Sequence, residues 1–135
     1  MIDSAEEFVR LRTSEVQEEY TRASVESASL EVWTDVVLRF PHMREWVVHN
    51  KAVPPEILEL LSRDGSESVR AAVAMKRKLS ADLFTLLAND ASEVVRARLA
   101  YNQKLPPALL RALANDSSPL VREASHRRLR ESGMH

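Results

Sequence analysis

A chain of 135 residues with 44% hydrophobic and 29% charged residues has the make-up of one ordinary globular domain, not of a disordered tract. Two glycines and 5% aromatic residues disfavour a small all-β fold, which needs turn glycines and β-branched or aromatic strands. The absence of cysteine removes disulfides, thiolate nucleophiles and cysteine metal sites.

The first residues, Met1-Ile2-Asp3-Ser4-Ala5-Glu6-Glu7, are acidic and lack an apolar core, so no signal peptide is expected. No apolar run approaches the roughly 20 residues of a membrane span, and a cytoplasmic protein is expected. Ser4-Ala5-Glu6-Glu7 and Ser14-Glu15-Val16-Gln17 both fit the capping-box pattern. They predict two capping helices within residues 1–26, roughly 4–12 and 14–26. Phe8, Val9, Leu11, Val16 and Tyr20 are expected to cover the first repeat.

From residue 27 a 26-residue period organises the chain. Val69-Arg70, Val95-Arg96 and Val121-Arg122 recur at that spacing, with Met43-Arg44 one period earlier. Asp64, Asp90 and Asp116 precede these pairs, and Ser66, Ser92 and Ser118 fall between. Hydrophobic columns run Val53, Leu79, Leu105; Ile57, Leu83, Leu109; Leu58, Phe84, Leu110; and Leu61, Leu87, Leu113. Residues 27–52 form a degenerate unit in which Trp33, Val36, Val37 and Phe40 make the stripe of the first helix. Pro41, three periods before Pro119, starts its second. Residues 53–78, 79–104 and 105–130 are the clear units, and 131–135 form a tail.

Each unit predicts two short helices. The first begins at Pro54-Pro55, Ser80-Ala81 or Pro106-Pro107, where proline or a serine cap suits the opening turn. The Asp-x-Ser segment turns the chain, and its serine is expected to cap the second helix. That helix buries Val69 and Val73, or Val95 and Leu99. It is expected to stop near Asn50 or Asn102 with the asparagine in a left-handed cap. In the last unit Ser125 and His126 replace Val73-Ala74 and Leu99-Ala100, so both are expected to meet solvent. Helices this short do not stand alone in water, so the units must stack to bury their stripes.

Val95-Arg96, Leu99-Ala100, Asn102, Pro106, Leu110, Leu113 and Asp116 resemble the HEAT-like helical repeats, and within them the variant leucine-rich repeat. The unit at 69–90 departs from that look, with Lys76 for the asparagine and Ser80 for the proline. The resemblance covers about residues 41–130, and the whole chain looks like small bacterial HEAT-repeat proteins of unsettled function, some thought to be immunity proteins. It implies an all-α fold: a right-handed α-solenoid of stacked helix pairs, HEAT/ARM-like, in a single domain with an N-terminal helical cap.

The resemblance leaves activity open. Arg44, Arg70, Arg96 and Arg122, with Asp64, Asp90 and Asp116, are expected to form a structural ladder between repeats; phosphate binding by the arginines is the alternative. Trp46, His49, Lys76, Arg77, Arg98, Tyr101, Arg127 and Arg128 lie late in second helices, which line the concave face in such solenoids. That mixture suits a protein-binding surface. It also suits nucleic acid, as in HEAT-like DNA glycosylases or a tRNA binder. Packing between repeats, with the basic groups solvated, is the bland reading. The charge is polarised: residues 1–31 carry three Lys/Arg against eight Asp/Glu, and residues 70–130 carry twelve against five. An acidic partner protein is therefore expected at a basic and aromatic face. No metal, cofactor or catalytic constellation is expected: His42, His49, His126 and His135 are scattered, and Gly65 and Gly133 stand alone.

Overall fold

The computed structural model describes residues 1–133; His135 lies outside them. Among the described residues the chain forms ten α-helices, one short 3-10 helix and no strand; a lone bridge joins Ile2 to Ala28. It divides into two compact units, Met1–Leu61 and Ser62–His135. The boundary falls between the two helices of the unit predicted at 53–78.

The first unit contains α1 (Ala5–Arg12), α2 (Gln17–Val25), α3 (Leu30–Arg39), the 3-10 turn Pro41–Met43, α4 (Arg44–His49) and α5 (Pro55–Leu61). Ser4 caps α1 as its spacing predicts, accepting from the Glu7 amide at 3.0 Å. The second capping box does not form. Ser14 Oγ accepts from the Val16 amide and donates to Glu19, closing a turn that delays α2 to Gln17. Phe8 and Leu11 are buried with Trp33, Val36, Val47 and Val48. Val16 and Tyr20 are exposed instead of covering this core. Ala23 is the buried residue of α2.

The second unit contains α6 (Glu67–Ala74), α7 (Ala81–Ala88), α8 (Glu93–Ala100), α9 (Pro107–Leu113) and α10 (Pro119–Glu131). Helices of like position pack side by side: α6 on α8, α8 on α10, and α7 on α9. Their shared core includes Val69, Val73, Leu83, Leu87, Val95, Leu99, Leu110, Leu113 and Val121. Each fully buried Leu or Val contributes about 1.5–3 kcal/mol. Ser80 caps α7 by accepting from the Leu83 amide at 3.1 Å. Ser80→Ala is expected to cost about 1 kcal/mol, read as a lower urea midpoint with an unchanged slope.

Of the three turn serines, Ser92 alone caps the helix after it. Ser118 Oγ is spent on Glu93 at the start of α8, and Ser66 Oγ on Ser68. Neither asparagine adopts a left-handed cap: Asn50 is extended, and no non-glycine described residue has positive φ. The side chain does the capping. Asn102 Nδ2 donates back one period to the carbonyls of Ala74 and Lys76, at 2.8 and 2.7 Å. Asn50 does the same for Ala23 and Glu26. These carbonyls belong to helix ends whose own partners have run out. Ser125 is fully buried, its hydroxyl returned to the Val121 carbonyl, whereas His126 is exposed.

Candidate functional site

The cavity with the chemistry of a binding site lies in the first unit, where the end of α1, the outer face of α2 and the end of α4 meet. It measures about 480 Å³ and is lined by Arg12, Ser14, Tyr20, Ala23, Ser24, Trp46 and His49. The hydrogen bonds of Asn50 fix its floor by tying the end of α4 to α2, together with a bond from the Lys51 amide to the Ser24 carbonyl at 2.8 Å. On that base the Arg12 guanidinium lies over the Trp46 indole, 3.4 Å from the ring centre. The His49 ring sits 5.8 Å from the indole, tilted by 56°.

Two large aromatic side chains are left open here: Trp46 is 42% and Tyr20 40% exposed. Arg12 is half-buried, and no described carboxylate pairs with it. Its neighbours are spent elsewhere: Arg10 on Glu19, and Arg22 on Glu26. A guanidinium held against an indole face keeps N–H groups for a ligand while losing little side-chain freedom on binding. The arrangement can therefore grip an anionic group and bury an apolar stem beside it.

Comparison with family models, with curated proteins and with solved structures found no match.

A second, larger depression of about 640 Å³ runs along α3 between Leu30 and Leu38, edged by Asp3, Glu31 and Asp35. Asp35 is already held by Arg39 at 2.7 Å, a bond that keeps its carboxyl below the usual range. No free cation or aromatic ring lines that groove.

Of the surface residues expected from the sequence, Trp46 and His49 line the cavity. Lys76, Arg77, Arg98, Tyr101, Arg127 and Arg128 belong to the second unit. There Met75 and Tyr101, the residues that end α6 and α8, and Arg127 of α10 share one position of the 26-residue period; all three are exposed, as are Arg77 and Arg98. Arg128 does not belong to this surface. It is buried, 8% exposed, and its Nη1 donates to the carbonyls of Ala100 and Asn102 at 2.9 and 3.2 Å. It stands one period after Asn102 and caps the end of α8 in the same manner. Lys76, in the same column, is half-buried, and burial holds its ammonium below the ordinary lysine value.

The aspartate–arginine columns meet in the second unit as rungs. Arg70 grips Asp90 through Nε at 2.9 Å and Nη2 at 3.3 Å, while its Nη1 donates to the Asp64 carbonyl. Arg96 repeats this with Asp116, at 2.9 and 3.0 Å, and with the Asp90 carbonyl. A parallel bond joins Ser92 to Glu67 and Ser118 to Glu93. Arg44 donates Nε to the Val37 carbonyl at 2.8 Å. Arg70 and Arg96 thus spend their guanidinium edges inside the unit, leaving little for a phosphate.

Arg12, Ala23 and Ser24 are cavity residues that the sequence does not single out, and Tyr20 is expected there to cover the first repeat, not to line a cavity. A signal for Tyr20 exists, because it lies one 26-residue period before Trp46. Arg12 falls before the period begins, and nothing in the spacing marks it.

Proposed function

We propose that the chain is a helical-repeat scaffold that binds another protein, of the right-handed α-solenoid, HEAT/ARM-like kind, and that its role is inhibitory or immunity-like rather than enzymatic. Repeated rungs and back-capping bonds at one period support the repeat reading within the second unit. The stack of Arg12 on Trp46, open beside Tyr20, carries the binding reading. Tryptophan, tyrosine and arginine are the residues most enriched at interface hot spots, and here they converge in a cavity with an unpaired cation. The partner supplies an acidic side chain or a terminal carboxylate as its anchor.

Affinity capture from the native cell with the intact chain, beside Arg12→Ala and Trp46→Ala variants, tests this. A specific protein should be retained by the parent. Its dissociation constant should rise about 30-fold or more for Trp46→Ala, as for a hot spot worth at least about 2 kcal/mol, with melting unchanged. Equal retention by the variants would overturn it.

Nucleic-acid binding remains the second reading, favoured by the second unit alone. That unit carries thirteen Lys/Arg against eight Asp/Glu, net +5, around exposed Tyr101, Arg98 and Arg127. Binding to duplex DNA, single strands or tRNA that weakens steeply between low and moderate salt would support it. Flat or absent binding would remove it.

A further inference from the structure

Arg122 repeats half of a rung. Its Nη1 donates to the carbonyls of Asp116 at 2.8 Å and Ser117 at 3.1 Å. Arg70 and Arg96 hold the equivalent carbonyls of Asp64 and Asp90 in the same way. In those two rungs the remaining edge, Nε with Nη2, grips the carboxylate of the aspartate twenty residues later. On Arg122 no carboxylate of a described residue meets that edge. The side chain is half-buried and tied at one end, so its fork is already oriented.

The rest of α10 shows what does not dock there. The partly buried Ala71 and buried Ala97 give way to exposed Glu123 in the same column, and buried Ala74 and Ala100 give way to exposed His126. Pro119 stands where Glu67 and Glu93 accept from the next turn's serine. A further helix pair of this kind would lose both its apolar seat and its serine contact. The arginine fork is the one feature kept. A second copy of the chain is a poor occupant, because its own turn aspartates are engaged: Asp90 and Asp116 by arginines, and Asp64 by other groups.

We propose that the Nε–Nη2 edge of Arg122 is a preformed receptor for an aspartate carboxylate carried on an exposed turn of a partner protein. The chemistry is that of the two closed rungs, a planar carboxylate meeting a planar fork through two parallel hydrogen bonds. The positive second unit, with Arg127 and Arg130 also on α10, favours an acidic approach. The site rests on the protein-binding reading but on residues other than the Arg12–Trp46 cavity, so the two stand or fall separately.

The test titrates the intact, nitrogen-labelled chain with an acetylated, amidated Asp-Ala-Ser peptide, the turn found at residues 90–92, and follows the Arg122 Nε–H signal. A saturable shift is expected, with half-saturation on the order of 10 mM, as befits one charge-assisted fork. The Trp46 indole signal should stay still. In Arg122→Lys, which keeps the charge but not the fork, the shifts of amides 121–123 should weaken at least about 5-fold. The proposal is overturned by any of three results: no saturable shift, an equal response to an Asn-Ala-Ser peptide or to inorganic phosphate, or an undiminished response in the lysine variant.

Discussion

Arg96→Ala is expected to lower the folding free energy by about 3 kcal/mol, the lower end of the range for breaking a buried ion pair from one side. Arg96 and Asp116 expose 14% and 10% of their side chains. Without the guanidinium, the Asp116 carboxylate keeps only the Ser118 amide, at 2.9 Å, and the Asp90 carbonyl loses its donor from Nη1. The uncompensated charge, not the loss of attraction, makes the change costly. Arg122→Ala removes hydrogen bonds to two carbonyls but strands no carboxylate, so it should cost about 1 kcal/mol or less. Urea unfolding of both variants at neutral pH separates these outcomes. Acid adds a second check. The hydrogen bond from Arg96 is the largest influence on Asp116 and holds its carboxyl below the ordinary value, against the opposing effect of burial. A carboxyl depressed in the folded state adds stability above its unfolded pKa and loses it as pH falls through the folded one. The gap between the parent and Arg96→Ala should therefore be widest near neutrality and narrow as the pH drops below the aspartate range. A gap that stays constant with pH would mean that the loss comes from packing of the arginine stem.

The elements that a periodic pattern specifies are legible in the sequence; those set by single local hydrogen bonds are not. The helices of the second unit follow from apolar columns because burying Leu83, Leu87, Leu110 and Leu113 fixes which face turns inward, whatever the loops do. The start of α2 escapes the pattern because Ser14 fits a helix cap and a tight turn equally well, and Glu19 decides between them by accepting its hydroxyl. Asn50 and Asn102 look like left-handed caps when only the local chain is considered. Their work is done on carbonyls about 26 residues earlier, which no local rule weighs. Ser125 reads as a surface residue because serine breaks an apolar column. Its bond to the Val121 carbonyl, one helical turn back, satisfies the hydroxyl locally, so the position stays buried.

The candidate site divides along the same line. Trp46 and His49 stand out because late positions of second helices form a register that the period exposes. Arg128 occupies the same stretch yet belongs elsewhere: an arginine near a helix end reads as solvated, while the column through Asn50 and Asn102 shows that its position is a capping one. Arg12 is invisible in the sequence because its value comes from stacking on Trp46 across 34 residues of chain, a contact that depends on how α1 and α4 are placed. Repetition makes the helices readable, and the candidate cavity lies where the repetition stops.

Trp33→Ala should be the most damaging single change in the first unit, at about 3–5 kcal/mol for truncating a fully buried tryptophan. The indole packs edge-on against Phe8, with ring centres 5.3 Å apart and planes at 76°, and Val36 is buried on the next turn of α3. Its removal leaves a cavity at the meeting of α1 and α3 that backbones tied by helix hydrogen bonds cannot readily close. One feature works in the opposite direction. The indole Nε1 is buried without a hydrogen-bond partner among the described residues, a burden of about 1–3 kcal/mol that the parent already carries. Trp33→Phe keeps an aromatic ring against Phe8 and removes the orphan donor, so it should cost less than half of what alanine costs. Urea unfolding followed by the fluorescence of the remaining Trp46 and by helical circular dichroism reads both variants in the same unit. If phenylalanine proves as damaging as alanine, the N–H is making a contact worth keeping, and the core around α3 is held by that polar contact as well as by shape.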